Sequence, residues 1–234
     1  MRAIILAGGL GSRLRPLVSD VPKMLAPVGG RPFIAWLLEL LERKGVTDAV
    51  LAVGYLHEQI EAALGARWGG VALRYSVEGE PLGTGGALRR ALGVVERYPV
   101  FALNGDTYID LDLGAMLEAH RRAAAPLTVA VRREAGRRYG NIVLQDGRIV
   151  GFDSRADHAT GLISCGVYLF AQNLLADPAL PERFSFENDF LAPRAPALRP
   201  LAFETAGYFI DIGVPEDFLR AQRELAGIGR PAAP

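Results

Sequence analysis

The sequence predicts an α/β fold: a Rossmann-like, mostly parallel sheet flanked by helices, with a small β subregion in its second half. Three observations predict it. Short apolar runs alternate with helix-length amphipathic stretches as far as residue 131, which is the rhythm of parallel strands joined by crossover helices. A glycine-rich loop follows the first apolar run directly. Beyond residue 140 the rhythm gives way to a hairpin signal and scattered prolines.

Each element has a local reason. Arg2–Leu6 is a short buried strand, and Pro32–Arg43 an amphipathic helix that Gly45 ends. Ala49–Val53 is a strand, His57–Leu64 a helix, Ala72–Ser76 a strand and Gly85–Val95 a helix. Val100–Leu103, Leu113–Ala123 and Leu127–Val131 repeat strand, helix and strand. Asn141–Leu144 and Arg148–Phe152 flank an Asp146-Gly147 turn, a hairpin signal. Ser164–Phe170 is an apolar strand, and Pro178, Pro181, Pro193, Pro196 and Pro200 break up the stretch beyond it. Phe209–Ile212 is a short strand, Pro215–Leu225 a terminal helix started by proline, and 229–234 a frayed tail. The chain reads as one domain, with residues 1–130 and 131–228 as its two halves.

Composition narrows the function classes. Lys+Arg and Asp+Glu are both 26, so no broad basic field exists to hold nucleic acid or a membrane surface. Phosphates, if bound, need a local site. Cys165 is the only cysteine, which excludes an intrachain disulfide and fits a reducing, cytoplasmic setting. The N-terminus runs into a glycine loop and does not read as a signal peptide. Lysine is scarce, with only Lys23 and Lys44. A lysine retained among arginines can mark a need for a compact ammonium; Lys44 reads as the polar end of a helix. His57, His120 and His158 are scattered and read as surface residues, and Cys165 as a small packing residue.

Leu6-Ala7-Gly8-Gly9-Leu10-Gly11-Ser12-Arg13-Leu14 follows the first strand. Glycines let a backbone approach an anion closely, successive N–H groups form a concave nest, and Arg13 adds a forked donor. Read alone, a simple turn is a competing reading of the segment. It is not a P-loop, since no Gly-Lys-Ser/Thr follows, and Leu14 stands where a dinucleotide loop needs its third glycine. Together with Pro22-Lys23-Met24-Leu25 and Pro27-Val28, this segment resembles the signature of the sugar-1-phosphate nucleotidylyltransferases. The resemblance implies a loop wrapped around a triphosphate, formed by Leu6, Ala7, Gly8, Gly9, Gly11 and Ser12. It implies phosphate contacts from Arg13 and Lys23.

Asp106 follows an apolar strand in Asn104-Gly105-Asp106-Thr107, where sites of α/β folds lie. Asp211 stands between Ile210 and Ile212, where a carboxylate needs a partner. Two carboxylates and phosphate oxygens suit Mg²⁺; a turn aspartate and an arginine partner are the plainer readings. The resemblance implies that Asp106 and Asp211 hold a catalytic Mg²⁺, with Arg13, Lys23 and Asp106 as catalytic residues and Asn104 and Gly105 against the nucleotide.

Val77-Glu78-Gly79-Glu80-Pro81-Leu82-Gly83-Thr84-Gly85-Gly86 resembles the family's nucleoside segment, which implies that Glu78, Glu80, Pro81, Gly83 and Thr84 bind there. A carboxylate only accepts hydrogen bonds. Guanine offers adjacent N1–H and N2–H₂ donors, so a glutamate favours GTP; two solvated loop glutamates are the alternative. On the sugar side, Tyr139-Gly140-Asn141 resembles the family's Tyr-Gly segment, and Gly161–Tyr168 a second one from which Ser164 and Cys165 depart. Phe184–Leu191 and Gly207–Asp217 complete the resemblance. Thr107, Tyr139, Gly140, Asn141, Ser164, Glu187 and Tyr208 are its implied sugar contacts.

Within the family, these runs resemble the guanylyltransferases of D-glycero-α-D-manno-heptose 1-phosphate. The expected partners are a nucleoside triphosphate, GTP favoured, and a sugar 1-phosphate, with room for a homo-oligomer and no nucleic acid or membrane. Mannose 1-phosphate with GTP and N-acetylmuramate 1-phosphate with UTP are alternatives. A non-catalytic nucleotide-sugar sensor is a different class, against which the joint presence of Arg13, Lys23, Asp106 and Asp211 argues.

Overall fold

The computed structural model describes residues 1–9, 14, 18, 21–135, 141–153 and 160–228. The chain begins with β1 (Arg2–Leu6), a 3₁₀ turn at Lys23–Leu25, the paired β2 (Pro27–Val28) and β3 (Arg31–Pro32), and α1 (Phe33–Arg43). It continues with β4 (Asp48–Val53), α2 (His57–Leu64), β5 (Arg67–Trp68), β6 (Val71–Val77) and α3 (Gly83–Leu92). Next come β7 (Val100–Asn104), β8 (Thr107–Ile109), α4 (Leu113–Arg122), β9 (Leu127–Ala135), β10 (Asn141–Gln145), β11 (Arg148–Asp153) and β12 (Thr160–Phe170). A π-helical turn at Phe186–Leu191 runs into α5 (Ala192–Leu198), followed by β13 (Leu201–Glu204), β14 (Phe209–Asp211) and α6 (Pro215–Ile228).

Ten strands form one mixed sheet in the order β10-β11-β13-β9-β12-β7-β1-β4-β6-β5. Its core is the expected parallel unit: β7, β1, β4 and β6 run parallel, with Ile4 opposite Val50 and Ala102. Side chains alternate between the two faces, as the pleat requires. Ala3, Ile5, Leu51 and Val53 pack with α1 and with Leu113 and Met116 of α4. Ile4, Val50 and Ala52 pack against Ala87, Leu88 and Ala91 of α3. Helices therefore cover both faces, which is why these strands read as unbroken apolar runs.

The second half departs from the parallel plan. β12 runs antiparallel between β7 and β9, and its pairing with β9 shifts register between Ser164 and Tyr168. Gly166 sits there with φ +67°, and a Cβ on it would lie 2.5 Å from Asn104 Nδ2. The bulge thus turns the strand at the carboxyl end of β7, where only glycine fits. β8 and β14 form a separate antiparallel pair, with Asp211 opposite Thr107. A third apolar cluster, with Phe33, Trp36, Tyr108, Ile210, Phe218 and Leu225, fastens α6 over that pair.

Two local expectations are corrected. The proline-rich stretch is not wholly broken up, because α5 forms across Pro193 and Pro196. Pro193 sits in the first turn, where an amide N–H has no helical partner. Pro196 removes only a bond to Ala192, at the junction with the π-helical turn. His120 is not a surface residue: it is 3% exposed, with Nδ1 2.8 Å from Thr128 Oγ1. It lies on the inward side of α4, four residues after Met116, and burial lowers its pKa. Lys44 stands at the end of α1 as expected, and pairs with Asp110 at 2.6 Å. The tail 229–234 and His158 lie outside the described residues.

Candidate active site

The carboxyl ends of the parallel strands meet in a cavity of about 300 Å³. β1 delivers Leu6, Ala7, Gly8 and Gly9 to it, β6 delivers Glu78, and β7 delivers Asn104, Gly105 and Asp106. Pro81, Gly83 and Thr84 form a further wall. Gly105 is required by space, since a Cβ there would lie 2.5 Å from the Leu6 carbonyl, whose oxygen accepts the Gly105 N–H at 2.8 Å. The loop after β7 is thereby held flush against the loop after β1.

Lys23 reaches this cavity from the 3₁₀ turn. Its Nζ lies 2.5 Å from Asp106 Oδ2. The ammonium is 13% exposed and the carboxylate 36%, so the pair is only partly screened by water. Glu78 Oε2 accepts the Leu82 N–H at 2.9 Å. Burial pushes the Glu78 carboxyl above its ordinary range, and the Leu82 N–H and the Arg90 charge pull it partly back.

A second cavity, of about 320 Å³, adjoins the first and shares Asn104 with it. Thr107, Ser164, Glu187 and Asp211 line it. Glu187 is held by the fully buried Tyr168, whose hydroxyl donates to Glu187 Oε1. Ser164 Oγ lies 3.2 Å from the same hydroxyl. Asp211 stands beside Asp106 through the backbone: the Ile212 N–H donates to the Asp106 carbonyl at 2.9 Å, and Asp211 Oδ1 accepts the Gly213 N–H at 2.7 Å. Among the described residues no three metal-ligating side chains converge. Asp106 lines the first cavity and Asp211 the second.

The structure brings most of the sequence candidates together, but not all. Glu80 is exposed and lines neither cavity, because the carboxylate that turns inward is Glu78, at the strand end. Tyr208 also stays outside: its hydroxyl donates to Glu224 Oε2 at 2.7 Å, and its ring meets Tyr108 edge-on. The pleat explains this. Tyr208, Ile210 and Ile212 face the cluster under α6, while Phe209 and Asp211 face the cavity. Asn141 packs against Gly161, where a Cβ would lie 1.5 Å from its Oδ1, and lines neither cavity. Gly11, Ser12, Arg13, Tyr139 and Gly140 lie outside the described residues. Sequence reasoning missed Phe152, Phe209 and Asn188 in the second cavity and Arg183 in the first. The period-2 partner of Asp211 was a usable signal for Phe209 alone. Burial pushes the Cys165 thiol up to about 12, so it is no nucleophile at neutral pH.

Comparison with known proteins finds relatives that span nearly the whole chain. The model of the nucleotidyl transferase family matches residues 2–227. A D-glycero-α-D-manno-heptose 1-phosphate guanylyltransferase of Aneurinibacillus thermoaerophilus is 41% identical over 226 residues, covering 96% of this chain and 98% of that protein. One from Campylobacter jejuni is 38% identical, covering 93% and 97%. The crystal structure of HddC from Yersinia pseudotuberculosis complexed with GMP-PN superposes with a TM-score of 0.83 at 33% identity, covering 96% of this chain and 99% of that one.

Proposed function

The chain belongs to the nucleotidyl transferase family, and from that premise we propose that it transfers the guanylyl group of GTP to D-glycero-α-D-manno-heptose 1-phosphate. The observation that carries the reading is the pair of adjoining cavities, with the Lys23–Asp106 pair lining the first and Asp211 the second. The half spanning residues 1–130 takes the nucleotide, and that spanning 131–228 supplies most of the sugar cavity. The relatives named above support the substrates. Lone Cys165 supports work in the cytoplasm.

In the reaction a phosphate oxygen of the sugar phosphate bonds to the α-phosphorus of GTP. The bond between that phosphorus and the bridging oxygen breaks, and pyrophosphate leaves. A phosphate monoester has its second pKa at about 6, so the nucleophile is already anionic and needs no general base. The protein's task is to hold two anions together and offset charge at the α-phosphoryl group. The Lys23 ammonium, on the first cavity's wall, and the amides of Gly8 and Gly9 are the described groups suited to this; Arg13 is the further candidate from sequence. The contact of Asp106 with the Lys23 ammonium supports a carboxylate available to a cation. Asp106 and Asp211 would hold Mg²⁺, which when bound neutralises charge on phosphate oxygens. Thr107, Ser164 and Glu187 offer hydroxyl and carboxylate partners to the sugar. Glu78 accepts from the N1–H and N2–H₂ edge of guanine.

The test is pyrophosphate release in the presence of Mg²⁺, with GTP, UTP, dTTP, CTP and ATP against a panel of sugar 1-phosphates. Turnover confined to GTP with the heptose 1-phosphate is the expected result. Turnover with another pair keeps the chemistry and discards the substrate assignment. Silence across the panel brings forward the non-catalytic sensor.

A further inference from the structure

Arg183 lines the same cavity as Glu78, and no sequence motif marks it. Leu82 ties the two together. Its N–H donates to Glu78 Oε2 at 2.9 Å, and its carbonyl accepts the Phe184 N–H at 3.0 Å. Glu78 and Arg183 therefore flank one backbone turn, which presents Pro81, Gly83 and Thr84 to the cavity.

The segment carrying Arg183 is fastened on both sides. The Gly85 N–H donates to the Phe184 carbonyl at 2.8 Å, and the Phe186 N–H to Thr84 Oγ1 at 2.9 Å. Arg89 donates to the Leu180 and Glu182 carbonyls at 3.2 and 3.4 Å. The backbone of Arg183 is thus fixed, while no carboxylate among the described residues pairs with its guanidinium.

The sheet order decides which part of a nucleotide Arg183 meets. Asp106 lies just past the end of β7 and Glu78 just past the end of β6, with β1 and β4 between them; the Glu78 carboxylate turns back toward Gly8, where a Cβ would lie 2.8 Å from its Oε1. A nucleotide laid across the strand ends puts its α-phosphate by Lys23 and Asp106 and its base by Glu78. Arg183 belongs to the base end, through Leu82. An arginine fork matches the N7 and O6 acceptors of guanine, on the side of the ring away from the donors that suit Glu78.

We propose that Arg183 is a specificity-determining residue that donates to guanine N7 and O6 while Glu78 accepts from N1–H and N2–H₂. This rests on GTP being the nucleotide. The pair would bracket guanine with opposite charges, whereas uracil and thymine have no N7 to offer.

The test compares kcat/KM for GTP, 7-deaza-GTP and ITP in the wild type and in Arg183→Met, an exposed position expected to leave Tm unchanged. The wild type should use 7-deaza-GTP at least about tenfold less well than GTP, since one charged hydrogen bond is lost. Arg183→Met should lose about tenfold to a hundredfold with GTP, use GTP and 7-deaza-GTP alike, and keep its GTP-to-ITP ratio, which reports the N2 side. Equal use of GTP and 7-deaza-GTP by the wild type overturns the inference whether or not the variant folds. So does an Arg183→Met variant that loses activity equally with GTP and 7-deaza-GTP, which would mark a phosphate or ribose contact. A wild type that prefers UTP or dTTP overturns the proposed function itself and this inference with it.

Discussion

Lys23 and Asp106, 83 residues apart in sequence, meet at 2.5 Å between Nζ and Oδ2. The 3₁₀ turn that carries Lys23 follows Pro22, and Asp106 leaves the end of β7 through Gly105. Each side chain is thus delivered by a short, constrained piece of backbone. A partly buried pair of this kind holds an ammonium and a carboxylate ready at one point, where a metal and a phosphate can compete for them. Lys23→Ala should lower kcat by about 10²–10³-fold, the size of losing one preorganised cationic or amide donor. Asp106→Asn should lose most activity with Mg²⁺. Both should keep the wild-type circular dichroism. Near-normal turnover of Asp106→Asn would remove its metal role.

Removing the divalent ion should separate chemistry from folding. The described core is three apolar clusters, and none of them depends on Asp106 or Asp211 for packing. EDTA should therefore abolish pyrophosphate release while moving Tm little, and Mg²⁺ should restore it. A large fall in Tm with EDTA would make the ion structural.

Much of the fold and the first cavity was legible in the sequence because its signals were local. The glycine loop, the strand ends at Asn104 and Val77, and the alternation of strands and helices all depend on neighbouring residues. Long-range pairing was not legible. Nothing near Thr107–Ile109 says that it will find Phe209–Asp211; only the resemblance to the family put Asp211 with Asp106. The direction of Tyr208 was lost for the same reason: one residue of register decides whether an aromatic faces the cavity or the cluster under α6. Arg183 was invisible because the turn around it is set by backbone bonds to Leu82 and Gly85, about a hundred residues upstream.

Glu78 should give the nucleotide step a pH signature. Burial raises its carboxyl pKa. Between the ordinary and the raised value the folded protein holds a proton that the unfolded chain has released, so stability from this group falls as pH rises through that window. Glu78→Gln should then match the wild type in Tm below the window and exceed it slightly above. The substrate effect has the opposite sign. As pH falls through the raised pKa the carboxylate gains a proton and stops accepting both guanine donors, so KM for GTP should rise. Steady-state kinetics from about pH 4 to 8, a range that brackets the ordinary carboxylate value and neutrality, should show this limb in the wild type. Glu78→Gln should show a flat KM and a weaker GTP-over-UTP preference. An identical base preference in both would sink the role of Glu78.

The link between the two cavities can be tested at Gly85. A Cβ there would lie 2.2 Å from the ring of Phe184, a buried side chain that cannot swing aside. Gly85→Ala should cost about 1–3 kcal/mol of stability, as overpacking does. The displaced segment carries Thr84 on one side and Glu187 on the other, so KM should rise for both substrates. A rise for GTP alone would show that the two cavities are not held together by this packing.

Tyr168 offers the cleanest separation of the two substrates. Its ring is buried against Phe186 with centroids 4.8 Å apart, packing that phenylalanine would preserve. Its hydroxyl donates to Glu187 and stays protonated, since burial and the neighbouring carboxylate hold its pKa well above the usual value. Tyr168→Phe removes that hydroxyl, and with it the partner of Ser164 on the same cavity wall, and leaves Glu187 free to rotate away from the sugar. A hydrogen bond to a charged group contributes about 1.5–3 kcal/mol, and about 1.4 kcal/mol is tenfold. KM for the sugar phosphate should therefore rise about tenfold or more, with KM for GTP unchanged, because no bond from Tyr168 reaches the nucleotide wall. An equal rise for GTP would mean that Tyr168 acts on the whole Phe184–Glu187 segment rather than on the carboxylate.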